Sequence, residues 1–301
     1  MVKIGVVGVP GGWSSERLAD AVFEKTGFRL LIDMKDVYFD SEKKSVFYHN
    51  VNLASLDAIV VKKIGPRYDP DFIERIQLLI YLKNKGLAIF SNPEAILKSF
   101  DRLSCTLQLQ SHDIPMPPTY VTEDLKKAVE IVHKYNKAVF KPLYSSKARG
   151  MIVLDSSDKD LEQRIAAFQA DHSVMYIQKF IDMPGKDLAV TFIGGEYLTT
   201  YARVATNKSW NTTTVSGGKY EAHSPSDEII DLADRAQKIF GLTFTSVDIV
   251  ETESGPMVFE VSAFGGFRGL LSAYDIDAAS IFVDEVLMDL KERTYSKKRY
   301  K

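Results

Sequence analysis

The amino-acid sequence predicts an α/β fold, α+β overall, on three observations. Short β-branched apolar runs alternate with helical patterns over roughly the first 90 residues, which is the rhythm of an open, mostly parallel sheet. Apolar runs nearer the C-terminus come in pairs joined through glycine, as in antiparallel hairpins. Between these regimes Pro115, Pro117 and Pro118 oppose helix continuation and mark a connection into a second module.

Residues 2–9 read as a first strand and 16–26 as an amphipathic helix, with Gly8, Gly11 and Gly12 between them. These glycines lack the G-x-G-x-x-G spacing of a dinucleotide site, so a tight strand-to-helix turn is the preferred reading. A strand at 56–64, a helix at 70–85 and a strand at 86–91 follow, closed by Asn92-Pro93. A single helix is predicted over 94–112, then the proline-rich connection, a strand, and a helix over 125–135. A strand ending at Lys141 runs into the polar loop SSKARG and a strand at 151–155; a helix over 161–170 then leads to a strand at 175–181. Gly194-Gly195 is a hairpin signal, followed by a polar loop over 208–219 and a helix over 226–240. Two further strands are joined through 252–255, and a last helix covers 278–293.

With 38 Lys and Arg against 40 Asp and Glu, the net charge of −2 excludes a generally basic, phosphate-hugging surface, and no nucleic-acid partner is expected. No segment approaches the roughly 20 apolar residues of a membrane-spanning helix, and MVKIGVVGVPGGW lacks an export signal. Cys105, the lone cysteine, excludes an internal disulfide and, with scattered histidines, a zinc cluster. A cytoplasmic setting is expected.

The most informative pair is Asp248 and Glu260, each inside an apolar strand and twelve residues apart across a hairpin. Neighbouring antiparallel strands can set two carboxylates side by side, where a cation between them relieves their repulsion. Hard oxygen donors of this kind suit magnesium bound together with phosphates, and the period-2 alternation adds Ser262 as a third donor. Lys141 precedes a loop whose Ser145, Ser146, Lys147, Arg149 and Gly150 can fold over polyphosphate. Arg203 and Arg268 offer planar forks for carboxylate or phosphate oxygens. Taken singly, each of these features is also compatible with a solvated surface. Lys62, Lys63 and Arg67 read as an exposed basic stretch, and the KKRYK ending as a solvated tail.

In their order these motifs resemble the ATP-grasp superfamily, in particular carboxylate–amine ligases related to RimK-type glutamate ligases and glutathione synthetase. SNPEAILKSFDRLSCTLQLQSHDIPMPPT is similar to the stretch entering the ATP-binding core; Arg102 stands where a phosphate lysine is usual. VFKPLYSSKARGM resembles the second phosphate lysine, Lys141, with the mobile loop and Lys147 behind it. MYIQKFIDMPGKDLAV resembles the adenine hinge. The resemblance implies that backbone groups of Lys179 and Ile181 read adenine, with Gln178 beside them and Asp187 on the ribose. YARVATNKSWNTTTVSGGKY resembles the arginine strand and its polar loop, placing Arg203 near the transferred phosphate, with Thr213 where asparagine is frequent. VDIV and FEVS resemble the metal site, with Asp248 and Glu260 matched and Ser262 in an asparagine position.

The resemblance implies an N-terminal pre-ATP-grasp domain at 1–93, a central subdomain at 94–180 and a C-terminal subdomain at 181–301, the last two enclosing the nucleotide. It implies ATP and Mg2+ as cofactors, with Mn2+ in reserve, and an amide-forming reaction through an acyl phosphate. A small-molecule or peptide carboxylate and an amine or amino acid are the implied substrates, and a homo-oligomer is allowed. Arg268 and Lys219 could recognise a carboxylate, as of glutamate. A small-molecule kinase on the same scaffold, or an ATP-binding regulatory module, are the competing readings.

Overall fold

The computed structural model describes residues 1–67, 69–145, 148–183, 185–205 and 218–299. The first strand, β1 (Ile4–Val7), runs into α1 (Trp13–Thr26) through the glycine turn. That turn is built as a strand-to-helix connection: Gly11 has φ +73°, its N–H donates to Glu16, and Gly12 caps α1. After β2 (Leu31–Ile32) a small meander of β3 (Val37–Asp40), β4 (Ser45–Tyr48) and β5 (Val51–Asn52) precedes β6 (Ala58–Val61), α2 (Asp71–Asn84) and β7 (Ala88–Phe90). β2, β1, β6 and β7 form a parallel sheet in that order, as the alternating pattern requires.

Next come α3 (Pro93–Phe100), α4 (Arg102–Gln110), β8 (Thr119–Thr122), α5 (Leu125–Tyr135), β9 (Lys137–Lys141), β10 (Ile152–Asp155), α6 (Leu161–Asp171) and β11 (Met175–Lys179). Their strands pair antiparallel in the order β10-β9-β11-β8. The remaining described chain builds an antiparallel sheet of order β14-β13-β12-β15-β16 from β12 (Lys186–Ile193), β13 (Glu196–Val204), β14 (Lys219–His223), β15 (Phe244–Thr252) and β16 (Gly255–Val261). Gly194 and Gly195, both at positive φ, turn β12 into β13. α7 (Asp227–Lys238) precedes β15, and α8 (Phe267–Tyr274) and α9 (Ala278–Arg299) follow β16.

The apolar cores join the first sheet to the last. One combines Ile59, Ile76 and Ile96 with Val190, Leu232 and Val247; another packs Leu18 and Val22 with Tyr201, Phe244, Phe267 and Phe282. The middle sheet keeps a core of its own, with α5 and α6 covering Phe140 and Ile177. Ion pairs from Arg17 to Asp277 and from Lys25 to Asp284 (2.6 Å) add polar ties between α1 and the C-terminal segment. Among the described residues no helix is long and apolar enough to cross a membrane.

The helix expected over 94–112 is two. Asp101 leaves the helical region (φ −97°, ψ 153°), and its carboxylate accepts the Ser104 N–H at 2.8 Å, starting α4 afresh. Phe100, just before the break, stacks on Phe72 at 3.6 Å between centroids. The meander, β14 and α8 are elements the sequence reading missed. The meander strands are half-buried pieces of two to four residues, too short for clear alternation, and α8 follows a glycine pair that reads as loop.

Candidate active site

Four strands of the C-terminal sheet bring the acids and Arg203 together. Asp187 on β12 lies opposite Arg203 on β13, while Asp248 on β15 lies opposite Glu260 on β16. Ala189, two residues beyond Asp187, faces Asp248, so the side chains share one face of the sheet. A register shift beside Asp248 lets β16 bulge between Val258 and Glu260, the local twist that often re-aims side chains at sites.

Arg203 is gripped from both sides. Its guanidinium donates to Asp187, whose side chain is 5% exposed, and meets Asp248 Oδ2 at 2.7 Å. Burial works against the Arg203 charge, yet the two carboxylates outweigh it and hold its pKa well above the ordinary value. Asp248 is pushed up to about 7, chiefly by burial; Arg203 opposes the rise, and Glu260 and Asp187 add to it. Burial and the neighbouring acids thus disfavour charge on Asp248, which a cation at this edge would favour.

Across the cleft Lys141 ends β9, half-buried, with Nζ donating to Gln178 Oε1 at 2.5 Å and standing 5.2 Å from the Phe259 ring. Burial pulls its pKa down to about 7, the Arg102 charge lowers it further, and Glu260 raises it. Gln178 is held in turn, because its amide donates to Thr119 Oγ1 (3.1 Å) and the Tyr176 hydroxyl (3.3 Å), with Thr106 on the far side of that hydroxyl at 2.9 Å. Arg102 opens α4 directly after the Asp101 cap. Its guanidinium approaches Glu260 Oε2 and Ser145 Oγ, each at 3.4 Å, and its Nε donates to the Pro142 oxygen at 3.3 Å. A cavity of about 40 Å³ lies between Arg102, Ser145, Glu260 and Ser262.

The structure thus gathers Arg102, Lys141, Gln178, Asp187, Arg203, Asp248 and Glu260. Ser262 reaches the same cavity, but it lies just past β16 and its hydroxyl donates to the Phe264 oxygen at 3.3 Å. Lys179 ends β11 with its N–H donating to the Pro118 oxygen (2.8 Å), and Ile181 follows the strand. The oxygens of Asp187, given a ribose contact by the resemblance, are engaged by Arg203. Arg268 stands apart from this ion-pair network, exposed in the first turn of α8 with its guanidinium carbon 5.0 Å from the Trp13 ring. Lys219 opens β14, paired with Val204. Lys147, Ser146 and Thr213 lie outside the described residues. Lys62 corrects the exposed-stretch reading: it is 3% exposed, because it follows a strand whose neighbours are all core. Tyr176, Thr119 and Thr106 were missed as supports of the lysine, although Tyr176 shares the face of Gln178 by alternation.

The donor set fits a hard divalent cation. Paired carboxylates directly across two strands suit magnesium that also takes phosphate oxygens, since such sites need only one or two protein carboxylates. Among the described residues no cluster of three or more His, Cys, Asp or Glu is arranged to hold a metal, and a pair of carboxylates leaves positions for phosphate and water oxygens.

Comparison with known proteins agrees with this architecture. The RimK-like ATP-grasp domain matches residues 99–286, and the chain belongs to that family. It is 25% identical over 297 residues to the tetrahydromethanopterin:alpha-L-glutamate ligase of Methanococcus maripaludis, covering 97% of this chain and 100% of that protein. It is 28% identical over 284 residues to a probable alpha-L-glutamate ligase of Methanococcoides burtonii, covering 91% of each. Among solved structures, the ATP-grasp ligase PsnB complexed with a minimal precursor superposes with a TM-score of 0.74 at 21% identity, over 95% of this chain and 99% of that one. PsnB has also been solved with Mg and ADP, and that complex matches at a TM-score of 0.74 and 19% identity, over 95% and 98% of the two chains. The fold is ATP-grasp, and the protein is an ATP-dependent ligase of the carboxylate–amine class.

Proposed function

We propose that this ligase couples a substrate carboxylate to the amino group of L-glutamate, or an amino acid of similar charge, through an acyl phosphate. The observation that carries the reading is the meeting, in one cleft, of two phosphate-seeking cations, Lys141 and Arg102, with an arginine already held between two carboxylates. The glutamate ligases among its relatives support the choice of amino acid.

In the first step a carboxylate oxygen attacks the γ-phosphorus of ATP while the bond to ADP breaks. In the second the amine nitrogen adds to the acyl carbon, loses a proton and expels phosphate. Phosphoryl transfer depends on alignment and charge neutralisation, the task assigned to Lys141, Arg102 and, from the loop, Lys147. Gln178 orients Lys141. Arg203, fixed by Asp187, stabilises charge on the phosphorylated acyl group. Magnesium, or manganese in its place, held by Asp248 and Glu260 with Ser262 nearby, would supply positive charge to the triphosphate. The Lys179 carbonyl and Ile181 N–H read the adenine edge, and Arg268 receives the carboxylate of the incoming amino acid. The division into 1–93, 94–180 and 181–301 remains our reading of the functional units, with the first helping to hold the acceptor.

ADP release, screened with L-glutamate and other amino acids against carboxylate-bearing cofactors and peptides, followed by product mass, tests this. Glutamate-dependent ADP release with a mass gain of one glutamyl unit is expected, as is hydroxamate formation when hydroxylamine replaces the amine. ADP release with a phosphorylated alcohol and no hydroxamate would overturn it in favour of a kinase.

A further inference from the structure

Lys62 stands outside that chemistry. It follows β6 directly, and its backbone N–H donates to the Val7 oxygen at 2.8 Å, which fixes its Cα to the parallel sheet. Its side chain crosses to the C-terminal part of the molecule. Nζ donates to the Gly265 oxygen at 2.5 Å and lies 3.8 Å from the Phe267 ring centroid and 5.4 Å from that of Phe244. Burial, aided by the Lys63 charge, draws its pKa down to about 7, and among the described residues no carboxylate contributes to that shift. A buried amine without an acid is costly in a purely structural role, where a methionine would fill the space at no such cost.

The group it holds is the turn behind the metal carboxylate. Gly265 lies five residues after Glu260, and the turn leads into α8 and Arg268. It is pressed tightly against its surroundings: a Cβ at 265 would come within 2.4 Å of the Phe244 ring, at 266 within 2.9 Å of the Tyr201 hydroxyl, and at 269 within 2.3 Å of the Tyr201 ring. Tyr201 sits two residues before Arg203 on β13. Lys62, the glycine turn, Tyr201 and the arginine strand are therefore in physical sequence.

We propose that Lys62 is a positioning residue for the ligation reaction, clamping the Gly265-Gly266 turn from the N-terminal sheet and against buried Tyr201 so that Arg268 meets the incoming amino acid in fixed geometry. The clamp itself rests on the contacts of Lys62; its effect on catalysis rests on the reading of Arg268 given above. Either protonation state of the amine keeps an N–H for the Gly265 oxygen.

Trp13, beneath Arg268, provides a substrate-free reporter once the other tryptophan is removed by W210F. In that background K62M should raise the acrylamide quenching constant of Trp13 about twofold and the KM for L-glutamate roughly tenfold, while the KM for ATP stays within about twofold, because a displaced docking edge penalises only the group it docks. K62R, which retains an N–H donor over the rings, should recover part of both effects. Unchanged Trp13 quenching in a folded K62M protein would overturn the clamp, and so would equal rises in both KM values that K62R does not relieve. Should wild type show no glutamate-dependent ADP release while K62M still alters Trp13 quenching, the clamp stands and the assignment of glutamate falls.

Discussion

Lys141 and Lys62 share a physical predicament but not their surroundings. Lys62 is buried and Lys141 half-buried, and the loss of solvent draws both down to about 7. Lys141 faces an oriented amide oxygen, with Glu260 and Arg102 close enough to shift its charge; Lys62 faces a backbone oxygen and two aromatic rings. On the function proposed above the first environment exchanges an amide oxygen for a phosphate oxygen, whereas the second is closed around a backbone oxygen. Depressed basicity alone therefore does not identify a catalytic amine. The partners decide whether the nitrogen meets substrate or holds the parts that do.

The largest expected effect separates the two. Lys141→Ala and Glu260→Ala should each lower ADP production by about 100 to 1,000-fold, as does loss of a single preorganised charge-stabilising donor elsewhere. Circular dichroism should show both variants folded. Near-normal turnover in Lys141→Ala would place its nitrogen away from the phosphate and erase the contrast with Lys62, for which only the roughly tenfold glutamate effect is expected.

Legibility of these two lysines from sequence also differs, for a physical reason. Lys141 ends a strand before a hydroxyl-rich loop, and that pattern points to phosphate; Asp248 and Glu260 announce themselves as acids in apolar strands joined by a hairpin, and they pair as the spacing required. The parallel N-terminal sheet and the Gly194-Gly195 hairpin were readable for the same reason, since local period and turn chemistry dictate them. Lys62 was misread because LDAIVVKKIG gives two adjacent lysines, and nothing local tells which of them turns inward. Its partner lies 203 residues away, a tertiary relation with no sequence period. Of the two grips on Arg203, Asp187 lies directly opposite it across the Gly194-Gly195 hairpin, whereas Asp248 comes from β15 beyond an intervening helix, so only the second was hidden from local pattern.

A pH titration of stability sharpens the comparison by isolating Lys62. Its ordinary value is 10.5 and its folded value about 7, so between these the unfolded chain carries a proton that the folded chain lacks. Unfolding then takes up a proton, and raising the pH disfavours it. The wild-type protein should gain stability relative to K62M from pH 7 towards 10.5, with a slope of up to about 1.4 kcal/mol per pH unit, and show no differential slope below that window. Urea titrations of the two proteins at several pH values would measure it. A flat difference across the window would mean that Lys62 keeps its proton in the fold, held by the rings and the Gly265 oxygen.

The smallest effect concerns how the other side of the cleft is positioned. Asp101 breaks what the sequence presents as one helix, and its carboxylate caps α4 through the Ser104 N–H. The break turns Arg102 towards Glu260 and lets its backbone N–H donate to the Leu143 oxygen at 3.2 Å, beside the Lys141 strand. Asp101→Ala should cost about 1 kcal/mol of stability through the lost cap. Asp101→Asn, which can still accept that hydrogen bond, should restore most of it. If Arg102 depends on the cap for its aim, turnover should follow the same order, with Asn above Ala, at equal folded fraction. Equal activity of the two variants despite their different stabilities would show that the Pro142 and Leu143 oxygens suffice to hold the arginine. The cap would then serve the fold alone, just as the Lys62 clamp would if K62M left glutamate kinetics untouched.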